Sequence, residues 1–207
     1  MGAVKGSTYR SNIRRGDAPR LVVAAARQLF STKGYAATSI DEIAAEAGVA
    51  RPTVFTAVGP KHVILKRVID HALAGDDAPF AVADRPWFRE ALEEPEPARS
   101  LQLHARNLCW IAQRVGPLLR ALEAAAAVDP QAAALWAEHQ GQRREGMAIF
   151  AAALAAKTQL RVDEATVTDT LWALQPATYL RLVEDGGWSV DRYQRWLSDL
   201  FQRLFLQ

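Results

Sequence analysis

Between Arg51 and Thr56 the chain reads RPTVFT: a guanidinium, two hydroxyls and a phenyl ring, with Val54 set among them at an apolar position. A guanidinium donates two parallel hydrogen bonds to a planar acceptor pair such as guanine O6 and N7. A threonine methyl or the Phe55 ring packs against a thymine methyl. Arg51, Pro52, Thr53, Phe55 and Thr56 therefore form a candidate base-reading surface, with Val54 and Ala57 turned inward. Upstream, Thr38 and Ser39 bring hydroxyls and free backbone amides to a predicted helix N-terminus, a setting that suits a phosphate. Lys61, opening the next predicted helix, is a second phosphate candidate, and Arg14 and Arg15 belong to a basic stretch of the kind that enters a minor groove. Competing uses exist: Ser39 is a good helix cap in its own right, and Phe55 could pack against the first helix.

These residues need short, tightly crossed helices to position them. Leu21, Val22, Ala25, Leu29 and Phe30 recur at helical spacing from Pro19 to Lys33, and Gly34 stops that helix. Ser39 and Glu42 form a Ser-x-x-Glu capping box for a second helix that runs through Ile43 and Ala47 and ends at Gly48. A third is predicted from about Arg51 to Val58, with Pro52 tolerated in its first turn. A fourth, after Gly59 and Pro60, carries Val63, Ile64, Val68, Ile69 and Leu73. Gly48 falls where the turn needs a positive φ, Ala44 is small enough for close approach, and Ile43, Ala47, Val49, Val54 and Ala57 are apolar where the two helices must seal. That is a helix-turn-helix motif over 40–59, whose second helix lies in a DNA major groove.

The stretch from Ala25 to Leu73, with LFSTKGYAATS, IDEIAAEAGV and ARPTVFTAVGPKHVIL, resembles the N-terminal domain of tetracycline-repressor (TetR) regulators. It departs from the family's usual residues at four positions. Phe55 stands for a tyrosine, Val58 for an aromatic, Pro60 for a serine or aspartate, and Ala50 for a serine. Phe55 lacks the hydroxyl that would reach a phosphate. The resemblance implies an all-α fold with an N-terminal three-helix helix-turn-helix domain and a larger C-terminal helical domain for ligand binding and dimerisation. It implies a homodimer on double-stranded, palindromic operator DNA, acting as a repressor and released by a small effector.

Composition agrees with an all-helical protein. Half of the 207 residues are hydrophobic, and Gly and Pro fall mainly between apolar runs. Residues 1–75 hold 11 Lys and Arg against 5 Asp and Glu, and the remainder is acidic, which suits a basic first third that meets a polyanion. The lone Cys109 excludes an internal disulfide and a four-cysteine zinc site. No apolar run reaches the roughly 20 residues of a membrane span, and no signal-peptide core follows the basic N-terminus, so a cytoplasmic location with no membrane partner is expected. The expected domains are a flexible basic arm over 1–16, a DNA-binding domain over 17–74 whose connecting helix covers 61–74, and an effector-binding and dimerisation domain over 75–207.

The second domain reads as a Pro-rich connector over 75–97 with one short helix at most, then long helices broken near Gly116–Pro117, Asp129–Pro130, Lys157–Asp163 and Asp185–Trp188. Asp163 and Ser189 are the expected caps of the last two. His104, Trp110, Trp136, His139 and Trp172 are candidates to line an effector cavity, with core packing as the alternative for each. The two histidines lack a Cys or carboxylate at ligand spacing, so no metal and no cofactor is expected. Alanine-crowded helices favour a hydrophobic or aromatic effector. Tyr179 and Leu182, read with Trp172 and Leu174 on one helix, and Trp196, Leu200, Phe201 and Leu204 on the last, give more apolar surface than one core uses, and so form the candidate dimer interface. An all-helical enzyme is disfavoured by the absence of a phosphate loop, an HExxH and a Gly-x-Ser-x-Gly elbow, and by the apolar setting of Cys109. A helical interaction scaffold would differ from a regulator in showing no steep salt dependence with DNA.

Overall fold

The computed structural model describes residues 16–74 and 85–207, and Arg14 and Arg15 lie outside them. Two compact units divide between Val68 and Ile69, inside a continuous helix.

In the first unit, α1 (Ala18–Lys33) buries Val22, Ala25, Ala26, Leu29 and Phe30 on one face, the stripe its spacing dictates. It packs against α2 (Ile40–Glu46) and α3 (Arg51–Ala57), which also pack on each other. The turn between α2 and α3 passes through Gly48 at φ +67°, a conformation that a side chain would strain. Ile43 and Val54 are fully buried where the two helices cross, and Ala44 and Ala47 are buried beside them. Val49 and Ala57 are half-buried. The fourth helix, α4 (Lys61–Ala74), places Ile64, Leu65 and Val68 in the core and then continues into the second unit.

The second unit is built around α6 (Pro97–Ala126), which packs against α5 (Pro86–Glu93), α7 (Pro130–Ala155) and α10 (Val190–Phe205). α7 pairs in turn with α8 (Glu164–Leu174). After a cis Gln175–Pro176 bond, the short α9 (Ala177–Tyr179) runs into a π-helical segment, Leu180–Asp185. Asp163 and Ser189 cap α8 and α10 through their side chains, as their positions predict. Tyr193, Leu197, Phe201 and Phe205 form the inner stripe of α10, at i, i+4, i+8 and i+12, against Leu101, Phe150 and Leu154.

Two sequence expectations differ from this, and the short helix expected in the Pro-rich stretch is present. Gly116–Pro117 does not break α6, which continues through Pro117. Gly116 has no Cβ to clash with the following ring, and Val115, Leu118 and Leu119 are buried around the site, so packing outweighs the lost hydrogen bond. Gly116 also admits Leu180, whose Cδ2 would lie 2.9 Å from an added Cβ. The described end of the Pro-rich stretch forms the two-turn α5 and buries Phe88 in the core. The carbonyl of Trp87 accepts a 2.7 Å hydrogen bond from Asn107 Nδ2. Trp172 and Leu174 do not share a helix with Tyr179 and Leu182, because Pro176 has no N–H to continue the α8 ladder.

Candidate functional site

α3 is short, and its two faces are chemically distinct. With Val54 and Val58 buried, Arg51, Pro52, Phe55 and Thr56 point to solvent and Thr53 is half-buried beside them. Phe55 is 43% exposed and so does not take the inward-packed alternative. Arg51 Nη1 lies 3.2 Å from Asp41 Oδ2, an ion pair with both partners exposed. The Thr56 hydroxyl donates to the carbonyls of Pro52 and Thr53. Lys61 Nζ sits 4.2 Å above the Tyr35 ring.

Thr38 and Ser39 are more committed to the fold than their sequence suggests. Thr38 is buried, its Oγ1 donates to Gly34 O at 2.8 Å and its amide to Tyr35 O. The Ser39 amide donates to Glu42 Oε2 at 2.8 Å, and Ser39 Oγ accepts from the Glu42 amide, which closes the capping box. The two amides expected to be free are therefore occupied within the chain. Glu42 is gripped from outside by Lys33 Nζ at 2.7 Å. That bond, with those from Ser39, holds its carboxyl down at about 2.

The second unit contains a cavity of about 460 Å³ walled by α5, α6, α7 and the α8–α9 corner, with Leu73 of α4 also on its wall. Its surface is mainly apolar, with Trp87, Phe88, Leu108, Ile111, Val115 and Met147 prominent. Of the residues predicted for an effector site, His104 and His139 line it. Trp136 and Trp172 line a neighbouring cavity of about 280 Å³, and Leu119, Arg143, Gln175 and Pro176 are common to both. Trp110 lines neither. It packs against Trp87 with ring centroids 5.5 Å apart and carries the Arg114 guanidinium 4.7 Å from its own centroid.

His104 is fully buried, stacked on Phe150 at 3.7 Å, and neither ring nitrogen has a hydrogen-bond partner. Burial alone drives its pKa down to about 3, so the ring is neutral. Arg143, Asn107 and Gln175 also line the cavity, and no sequence signal singles them out. Arg143 stands in a polar run, GQRREG, that reads as a solvated face, and nothing local marks it. Its guanidinium donates from Nη2 to the carbonyls of Trp172 and Gln175 and from Nη1 to Gln140 Oε1. It thereby closes the C-terminal end of α8, where exposed carbonyls and the helix dipole favour a cation. Burial lowers its pKa to about 10, which leaves it charged at neutral pH. Cys109 is buried and its thiol is pushed up to about 12, an unreactive setting.

The expected dimer residues separate into two groups. Tyr179 and Phe201 are buried in the chain's own core and are not available to a partner, since Phe201 lies on the inner stripe of α10. Leu182, Trp196 and Leu200 are half-buried and Leu204 is 40% exposed. Among the described residues no group of three or more His, Cys, Asp or Glu is placed to hold a metal, and no helix is long and apolar enough to cross a membrane.

A helix-turn-helix with a solvent-facing second helix, followed by a helical unit with a mainly apolar cavity, is an arrangement that suits an all-helical DNA-binding regulator. Residues 22–57 match the sequence model of the bacterial regulatory proteins, tetR family. Over that segment the chain is similar to the tetR-family regulatory proteins, and solved regulators share its fold. A putative TetR-family regulator from Mesorhizobium loti is similar in fold, with 20% identity, a TM-score of 0.67, and 94% of this chain and 99% of that one covered. A putative regulator from Saccharomonospora viridis in complex with choline is similar at 16% identity and TM-score 0.68, covering 92% and 98%. The SmeT–triclosan complex is similar at 16% identity and TM-score 0.66, covering 92% of each chain. No curated protein matches the chain.

Proposed function

We propose that this regulator is a cytoplasmic repressor that binds a palindromic operator as a homodimer and leaves it when a small apolar effector occupies the second unit. The observation that carries the DNA half is the outward face of α3, where Arg51, Pro52, Phe55 and Thr56 are exposed while Val54 is fully buried. In that arrangement Arg51 reads a guanine, Thr53 and Thr56 meet neighbouring bases, and Phe55 contacts a thymine methyl. Lys61 serves a phosphate. Thr38 and Ser39 act chiefly by building the N-terminus of α2, with the Ser39 side chain at the exposed edge of that turn. Trp196, Leu200 and Leu204 form the dimer stripe, and two-fold symmetry then demands a two-fold operator. The 460 Å³ cavity is of a size that holds a small organic molecule.

Selection of operator sequences from a random DNA pool, followed by titrations at several salt concentrations, tests the reading. A palindrome is expected, with affinity falling steeply as salt rises. Recovery of no motif, or salt-insensitive binding, overturns it.

A further inference from the structure

The polar groups of the cavity restrict what it accepts, an inference that rests on the effector reading above. His104 offers one N–H and one lone pair, both buried and both without a partner in the chain. Gln175 adds a buried Oε1 in the same condition, since its amide nitrogen is already given to Tyr193 OH at 2.5 Å. Buried polar groups of this kind are nearly always satisfied, by protein, by water or by a ligand. Arg143 does not supply an anion clamp. A bidentate carboxylate needs a hydrogen from Nη2 or a parallel Nη1–Nη2 pair, and both Nη2 hydrogens are spent on the Trp172 and Gln175 carbonyls. A cation fares no better, because that same guanidinium is a fixed positive charge on the wall. Among the described residues the one carboxylate lining the cavity, Glu145, is solvent-exposed. What remains unmet is neutral hydrogen bonding inside an apolar shell.

We propose that the cavity takes an uncharged aromatic alcohol or phenol whose hydroxyl hydrogen-bonds the His104 ring. Its apolar body lies along Phe88, Leu108 and Met147, and its hydroxyl exchanges hydrogen bonds with a ring that is both donor and acceptor. The probes are four biphenyls that differ in one para substituent: 4-phenylphenol, 4-methylbiphenyl, biphenyl-4-carboxylate and biphenyl-4-ylmethylammonium. Binding is followed by tryptophan fluorescence, to which Trp87 on the wall reports, and checked by calorimetry.

The phenol is expected to bind about tenfold more tightly than the methyl analogue, and more tightly than either ion. His104→Phe should bring the phenol-to-methyl ratio to about one, while His104→Gln, which keeps a donor and an acceptor, should restore part of it. Should the Phe variant fail to fold, the same ratio is read in His104→Leu. Tightest binding by the carboxylate or the cation, a wild-type ratio of one, a ratio that survives in His104→Phe, or no binding by any probe overturns the proposal. Operator affinity of the same preparations, measured without probe, tests the regulator reading separately.

Discussion

Arg51 meets solvent with a single exposed ion pair, to Asp41 at 3.2 Å, and such a pair contributes ~1 kcal/mol at most. It is therefore cheaply exchanged for a guanine edge. Arg51→Ala is expected to weaken operator binding by about 1–3 kcal/mol, roughly 5- to 150-fold, and to relax preference at one base pair, with thermal stability nearly unchanged. Equal loss on all sequences would instead make Arg51 a phosphate contact. Two other residues set the response to acid. His104 is held at about 3 in the fold against an ordinary 6.5, so below about pH 6.5 the unfolded chain takes up a proton that the folded one refuses. Its neutral burial thus favours the fold fully at higher pH, and stability falls with pH at up to about 1.4 kcal/mol per unit from this group. Glu42 works in a lower window: its stabilising bonds are complete above its ordinary 4.5 and are lost as pH falls toward 2. Denaturant titrations between pH 8 and pH 4 should show a decline beginning near 6.5, and His104→Phe should flatten its upper part. An unchanged slope in that variant would remove His104 as the cause.

At the scale of elements, legibility followed the range of the forces involved. The capping box at Ser39–Glu42, the Gly48 turn and the apolar offsets around Ile43 and Val54 are local signals, and the structure places α2 and α3 where those signals put them. Pro117 misled because its cost is local while the gain that outweighs it, burial of Val115, Leu118 and Leu119, comes from α6 as a whole. The α8–α9 corner has the sequence pattern of one helix because Pro176 follows a periodic apolar run that resumes beyond it, and Arg143, which closes that corner, is 29 residues from Trp172 in the chain. The cavity shares this origin: of its lining only His104 and His139 are legible in the sequence, since the wall is assembled from five separate segments. Ser39 tests the local side of this division. Ser39→Ala removes the cap of α2 and is expected to cost about 1 kcal/mol in chemical denaturation, with operator affinity reduced far less than in Arg51→Ala. An undiminished stability with lost DNA binding would make Ser39 primarily a contact residue.

At the scale of the whole molecule, α10 divides its apolar residues between two faces. Tyr193, Leu197, Phe201 and Phe205 serve the core, which leaves Trp196, Leu200 and Leu204, spaced by four, on another face. Leu200→Glu should yield monomers in sedimentation velocity and abolish preference for a palindrome over a half-site, and a persisting dimer would relocate the interface. Effector control then requires that ligand and operator favour different states of the chain. One element passes through both units: α4 sets Ile64 and Leu65 in the core of the first and Leu73 on the cavity wall in the second. Its last turn is held from α6 by Arg114 Nε, which donates to Ala72 O at 2.9 Å, and Arg114 in turn lies on Trp110 beside the wall residue Trp87. Ligand that displaces Trp87 therefore acts on the same contact that fixes the end of α4. A coupling of about 1–3 kcal/mol, roughly 5- to 150-fold in operator affinity, is expected for 4-phenylphenol, and by linkage the operator must lower probe affinity by the same factor. Arg114→Ala should bring both factors toward one together while probe affinity in the absence of DNA stays within about threefold, since the side chain does not line the cavity. Full coupling in that variant would show that α4 is moved through Leu73 alone, and loss of probe binding would show that Arg114 shapes the cavity rather than transmitting its occupancy.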